Sequence, residues 1–367
     1  MEKNRKLTFN LTGLRKLMLL AGFMLTSLSA CREKEEPLPI VTPDPAASGK
    51  IYVANEHAGS ISVINAATRK VVKTIPINEG AAVDLMAHNV QVAPDGKTVW
   101  VTGVPMDHAL DEKMIVIDPV ADVVKARIPM SAHLHMAHVV LDENSAFAFV
   151  TASDADQVIK INAATHQVAA VYDLGPYHEP HGIRYFQGKL YVANLRSKSM
   201  SIIEVASGQI TDIPLGGKVG QTAVLPNGKY IFASLLDTRE VIRYDLQSGA
   251  IHRIPLPQTS QGPIQLYSTP DSKKLFVCDQ GILLGMPVSD KVFVIDPEAG
   301  VVTNTIQVGN AAHGIVVSKD GKTAYSTNTN DATVSVIDVA TEKVVATIPV
   351  GFSPNGISFW SESGGMP

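Results

Sequence analysis

The chain has 367 residues, 45% of them hydrophobic and 18% charged, with 27 Gly and 22 Pro. That balance excludes a disordered chain or a coiled coil and fits a β-rich globular protein with many turns. The formal net charge of −4 argues against nucleic acid or another polyanion as partner.

Lys3, Arg5, Lys6, Arg15 and Lys16 precede an apolar run from Leu17 to Leu28, which is the order of an export signal. The run is too short to serve as a final membrane span. It ends in Leu28-Ser29-Ala30-Cys31, which resembles the lipobox of bacterial lipoproteins. The resemblance implies cleavage before Cys31 and diacylglycerol on its thiol. Residues 1–30 are then a lipoprotein signal peptide, and their loss leaves 26 basic and 34 acidic residues, a net charge of −8. Cys278 is the other cysteine, so the chain cannot form an internal disulfide once Cys31 is lipidated.

Residues 32–49 contain four Pro and no apolar periodicity and read as an extended tether. Cys31 and the tether occupy 31–49, and the folded part occupies 50–367. The acidic stretch after Cys31 resembles sorting signals that send some Gram-negative lipoproteins to the outer surface. The expected location is the cell envelope, lipid-anchored, facing the periplasm or exposed on the outer membrane.

From residue 50 the sequence repeats. Lys50–Asn55, Ser60–Asn65 and Lys70–Pro76 are three short segments rich in β-branched and aromatic residues, separated by turn residues, and read as consecutive strands. The first of them recurs as VWVTG (99–103), AFVTA (148–152), LYVAN (190–194), YIFAS (230–234), LFVCD (275–279) and AYSTN (324–328). A period of roughly 40 to 49 residues is that of a four-stranded propeller blade. A fourth element precedes every copy but the first, as in 88–96 and 313–321, where Asp-Gly supplies a hairpin turn. An orphan copy, 354–360, stands at the C-terminus. Added to the first blade, it stitches the chain ends together and leaves no open edge. The expected fold is all-β, a seven-bladed β-propeller of four-stranded antiparallel blades, and a monomer.

These motifs resemble the YVTN family of β-propeller repeats, whose consensus runs close to 325–351 here. The resemblance covers nearly all of the mature chain and speaks to fold; the fold itself hosts enzymes, haem carriers and interaction platforms alike.

The eleven histidines distribute unevenly over the repeat. His88, His138, His181 and His313 fall at the start of the innermost strand in four blades. His133, His135 and His178 lie in the loops just before such strands, and His57 and His108 in loops that open on the same top face. Several imidazoles converging on one concavity can bind Cu, Zn or Fe, and Met106, Met130, Met136 and Cys278 would suit soft Cu(I). The competing account is packing: a Pro-His-Gly start of an inner strand, as at His181, seats the ring between blades. In blade count and top-face histidines the chain also resembles the haem domain of cytochrome-type nitrite reductase, and in its propeller histidines nitrous oxide reductase. The first resemblance implies haem and the second copper; neither reaches a motif matched residue by residue.

No phosphate loop, nucleophile elbow or paired CxxC is present. Asp84, Asp107 and Glu179 are acids near the mouth; Arg184, Arg196, Lys198 and Arg239 could supply cations to an anionic ligand around blades four and five, but solvation is the favoured account. The apolar insertion 281–287 is expected to overhang the top face. Two readings follow. In the favoured one the protein is a non-enzymatic envelope lipoprotein whose top face binds a protein or small-molecule ligand. In the other it is a copper- or haem-dependent redox or maturation protein using His88, His133, His135, His138, His178, His181 and His313.

Overall fold

The computed structural model describes residues 48–78, 85–362, 364 and 365. The signal peptide, Cys31 and most of the tether lie outside them, as does Asp84. Twenty-eight strands form seven four-stranded antiparallel sheets, so the seven-bladed propeller read from the repeats is the fold.

The innermost strands are β4 (Leu85–Val92), β8 (Met136–Leu141), β12 (Pro180–Phe186), β16 (Val219–Val224), β20 (Pro263–Ser268), β24 (Ala312–Val317) and β28 (Pro354–Trp360). Each pairs with the second strand of its blade: β5 (Val99–Pro105), β9 (Phe147–Ala152), β13 (Lys189–Asn194), β17 (Tyr230–Leu235), β21 (Leu275–Asp279), β25 (Thr323–Asn328) and, for β28, β1 (Lys50–Asn55). The last pair closes the ring. Lys50 sits opposite Trp360 and Val53 opposite Ile357, and Trp360 Nε1 donates to the Gly96 carbonyl of the next blade at 2.8 Å.

Burial falls from the axis outward. Every residue of β5 and β8 is buried, while the outermost strands Lys70–Pro76 and Val168–Asp173 are mostly exposed. The core lies between blades, because each sheet is apolar on both faces. Trp100, Met114 and Val116 of the second blade pack on Val139, Val150 and Ile161 of the third, and Ile51, Val53 and Phe359 of the first pack on Tyr325 and Val336 of the seventh. The 281–287 insertion contains a 3-10 turn, Ile282–Leu284, with Ile282 and Leu283 exposed.

One irregularity recurs in all seven blades. Near the start of each innermost strand two residues stand opposite one: 88 and 89 face Thr102, 137 and 138 face Thr151, 181 and 182 face Ala193, and 220 and 221 face Ser234. Residues 264 and 265 face Cys278, 313 and 314 face Thr327, and 355 and 356 face Ala54. A bulge of this kind bends the strand and re-aims its side chains.

The hydroxyl opposite the bulge holds it in place. Thr151 Oγ1 accepts from the His138 N–H at 3.0 Å and donates to the His181 carbonyl of the next blade at 2.7 Å. Thr102, Ser234 and Thr327 repeat the pattern, donating to the carbonyls of Ala137, Ile264 and Asn355. In four of the seven blades a Ser or Thr hydroxyl therefore ties the bulge to that of the next blade, while Ala193, Cys278 and Ala54 stand at the corresponding place in the other three; together the bulges form a collar around the axis.

Candidate metal centre at the propeller axis

The repeats place His88, His138, His181 and His313 at one equivalent position; the register corrects this by one residue. His88, His181 and His313 are the first residue of their bulges, but His138 is the second, behind Ala137. The second position holds Asn89, His138, Gln221 and Gln265 in other blades, but behind His181 and His313 it is crowded: a Cβ on Gly182 would lie 2.2 Å from Gln221 Oε1, and one on Gly314 2.3 Å from the Asn355 carbonyl. That is why His181 and His313 are each followed by Gly.

The collar brings three imidazoles together. The rings of His138 and His181 have centroids 4.8 Å apart, and His88 is 5.9 Å from each. One nitrogen of each lies within 4.8 Å of those of the other two. The Nε2 atoms of His88, His138 and His313 are buried with no hydrogen-bond partner, which is unusual for buried polar atoms.

The opposite nitrogens are engaged. His88 Nδ1 is 2.9 Å from Glu56 Oε1, and Asn355 Nδ2 donates to Glu56 Oε2 at 2.9 Å. His181 Nδ1 donates to the Gly220 carbonyl at 2.8 Å, which leaves the lone pair on Nε2. His313 Nδ1 is 2.7 Å from the Gln280 side-chain amide. His138 differs. Gln221 Oε1 accepts from the Thr222 N–H at 2.8 Å, so its amide donates to His138 Nδ1 at 3.2 Å. Neutral His138 therefore carries its proton on Nε2.

Burial, then the charges of neighbouring histidines, push His181 down to about 3 and His138 well below the ordinary imidazole range. Burial and His88 push His313 down to about 4. These rings are neutral at physiological pH, the form that ligates metals. Burial would raise Glu56, but the charge and hydrogen bond of His88, with help from Asn355 and His313, hold it well below the usual carboxylate range. Glu56 thus places a negative charge behind His88.

His135 stands beside this group, 6.1 Å from His88 between ring centroids, and stacks on the exposed His108 at 5.6 Å with the planes 5° apart. His108, His135 and Asp154 each offer a ligand atom within 4.8 Å of the others. The loop carrying His135 has left-handed backbone at both His133 and His135, φ 59° and 48°, a conformation that needs support. Glu112 gives it, accepting the N–H groups of Leu134, His135 and Met136 at 3.0, 2.5 and 2.7 Å. Burial pushes the Glu112 carboxyl up in spite of those three donors.

The remaining histidines of the pool are elsewhere. His133 is exposed. His178 commits both nitrogens to the protein, Nδ1 to the Gly175 carbonyl at 2.9 Å and Nε2 to Asp212 at 3.0 Å. The sulfur atoms do not join the group: Met130 and Met136 are in the apolar core, and Met106 is exposed. Cys278 is buried and bonded to Ser326 Oγ at 3.3 Å, and burial pushes its thiol up to about 12. Of the four cations expected to be solvated, Arg184 is instead buried. Glu56, Glu112, Gln221 and Gln280 are the site residues that the sequence does not announce.

The fold places the chain in the class of seven-bladed β-propellers, with a cluster of histidines at the axis. No protein-family model matches the chain, and no curated protein matches it. Among solved structures it is similar to Kuenenia stuttgartiensis hydrazine synthase, with 17% identity over 83% of this chain and 97% of that one and a TM-score of 0.68. It is also similar to a streptogramin B lyase, with 14% identity over 76% of this chain and 91% of that one and a TM-score of 0.61. A third, virginiamycin B lyase from Staphylococcus aureus, has 15% identity over 76% of this chain and 94% of that one, with a TM-score of 0.62. At these identities the likeness is one of fold.

Proposed function

We propose that this chain is a lipid-anchored envelope protein whose propeller binds one late first-row transition-metal ion, copper or zinc, through His88, His138 and His181 on its axis. The observation that carries the reading is the convergence of three imidazoles from three blades, with ligand atoms within 4.8 Å of one another and, on His88 and His138, buried Nε2 atoms with no hydrogen-bond partner among the described residues. Packing alone would have paired those atoms.

The donor set is all imidazole, which suits Zn(II) or Cu(II). Three nitrogens bound at 2.0–2.1 Å stand roughly 3.4 Å apart about a tetrahedral ion, so loading draws the rings inward by about an ångström. Glu56 behind His88 and the Gly220 carbonyl behind His181 are the outer partners that orient metal-bound imidazoles. Ligation by His138 Nε2 further requires the Gln221 amide to turn over and accept from Nδ1, at the cost of its bond to Thr222, about 1 kcal/mol. The three rings enclose space for an ion rather than a macrocycle, which favours metal over haem.

The test is titration of metal-stripped full-length protein with Zn(II) against a chromophoric chelator. One ion per chain, lost in His181→Ala and kept in His178→Ala, supports the reading. No binding, or binding indifferent to His181, overturns it and leaves a metal-free platform whose top face binds a protein or small molecule.

A further inference from the structure

At the other end of the channel the structure holds a buried cation without a counter-charge. Arg184 is the fifth residue of β12, the position shared by Ala223 of β16 and Tyr267 of β20. Its side chain is 9% exposed. Its guanidinium makes one hydrogen bond, from Nη1 to the Ile183 carbonyl at 2.9 Å, and stands 5.9 Å from the Tyr267 ring centre. No carboxylate among the described residues pairs with it. Burial lowers its pKa, and the Tyr267 phenol opposes the shift.

A buried, unpaired guanidinium is costly. Arg184 also lines a cavity of about 130 Å³ whose walls include Phe186, Val224, Pro226 and Tyr267. These residues sit at the C-terminal ends of β12, β16 and β20, opposite the ends that carry the histidines. Pro226 is exposed, so the cavity reaches the bottom face. Ser268 contributes a hydroxyl that donates to the Val224 carbonyl at 3.1 Å.

We infer that this cavity is a second binding site, for a small monoanionic carboxylate with an apolar or aromatic body. The carboxylate completes the Arg184 fork, whose planar donors match it in bidentate geometry, and the body fills the apolar walls. A single cation does not balance a phosphate dianion.

The experiment uses full-length protein in detergent and 4-fluorobenzoate as probe, with 4-fluorobenzamide as its neutral match, followed by fluorine NMR. The acid is expected to bind saturably and at least tenfold more tightly than the amide, to lose that preference in Arg184→Met, and to keep part of it in Arg184→Lys. Because the charge is unpaired without ligand, Arg184→Met is expected to melt no lower than the parent. Equal binding of acid and amide, absent binding, binding unchanged in Arg184→Met, or a marked loss of stability in that variant would each overturn the inference, the last by making the guanidinium structural. Arg184 is no metal ligand, though its charge is felt at His138; zinc titration of the same samples separates the two proposals, because Arg184→Lys keeps that charge and should leave zinc binding unchanged.

Discussion

His178 and His181 lie three residues apart, one at the rim of the top face and one in the collar, and they are used in opposite ways. At the rim His178 gives both nitrogens to its own blade, one to Gly175 and one to Asp212. In the collar His181 gives Nδ1 to Gly220 of the next blade and points the other toward rings contributed by two further blades. The difference is made by the backbone. A loop side chain folds back on the nearest acceptor, whereas a bulge held by Thr151 cannot, and its side chain is delivered to the axis at little further entropic cost. The same bulges in the fifth and sixth blades carry Gly220-Gln221 and Ile264-Gln265, so the collar is a common frame and the residue placed in it sets the chemistry.

The sharpest way to break the comparison is to exchange ligands for alanine. His88→Ala, His138→Ala or His181→Ala should each weaken Zn(II) binding by on the order of 100-fold, and His178→Ala should leave it unchanged; competition titration reads both. Removing the frame comes next. Thr151→Val deletes a buried hydroxyl that accepts from His138 and donates to His181, and should cost about 2 kcal/mol in denaturant unfolding. A cost near zero would show that the bulge needs no such tie.

A smaller effect sharpens the account of His138. Gln221→Glu offers an acceptor to His138 Nδ1 without an amide reversal, and should tighten metal binding by about tenfold, or about 1.4 kcal/mol. Weaker binding would mean that the donor orientation of Gln221 is part of the loaded site. The smallest expected effect is none at all. Cys278 is buried and its thiol is pushed up to about 12, so it should not react with a thiol reagent in the native protein and should react once unfolded.

The fold was legible because a propeller writes itself as a period. Seven copies of one strand and an orphan copy at 354–360 are enough to count blades and close the ring, since an unpaired edge is the alternative. The histidine enrichment of the top face was legible for the same reason. Convergence was not, because the partners are remote in sequence: Gln221 meets His138 across 83 positions, and Glu56 meets His88 across 32. The phase of His138 was misjudged by one residue: the bulge is common to every blade, and His138 is its second residue where His88, His181 and His313 are the first. Arg184 reads as a surface cation beside a polar turn, and its burial follows from the register of β12 in the channel.

The account turns on where the ion sits. Anomalous diffraction from a crystal of the protein loaded with Zn(II), collected above and below the metal edge, should show one peak enclosed by His88, His138 and His181. A peak confined to the exposed His108 and half-buried His135, or no peak on the axis at full zinc occupancy elsewhere, would contradict it.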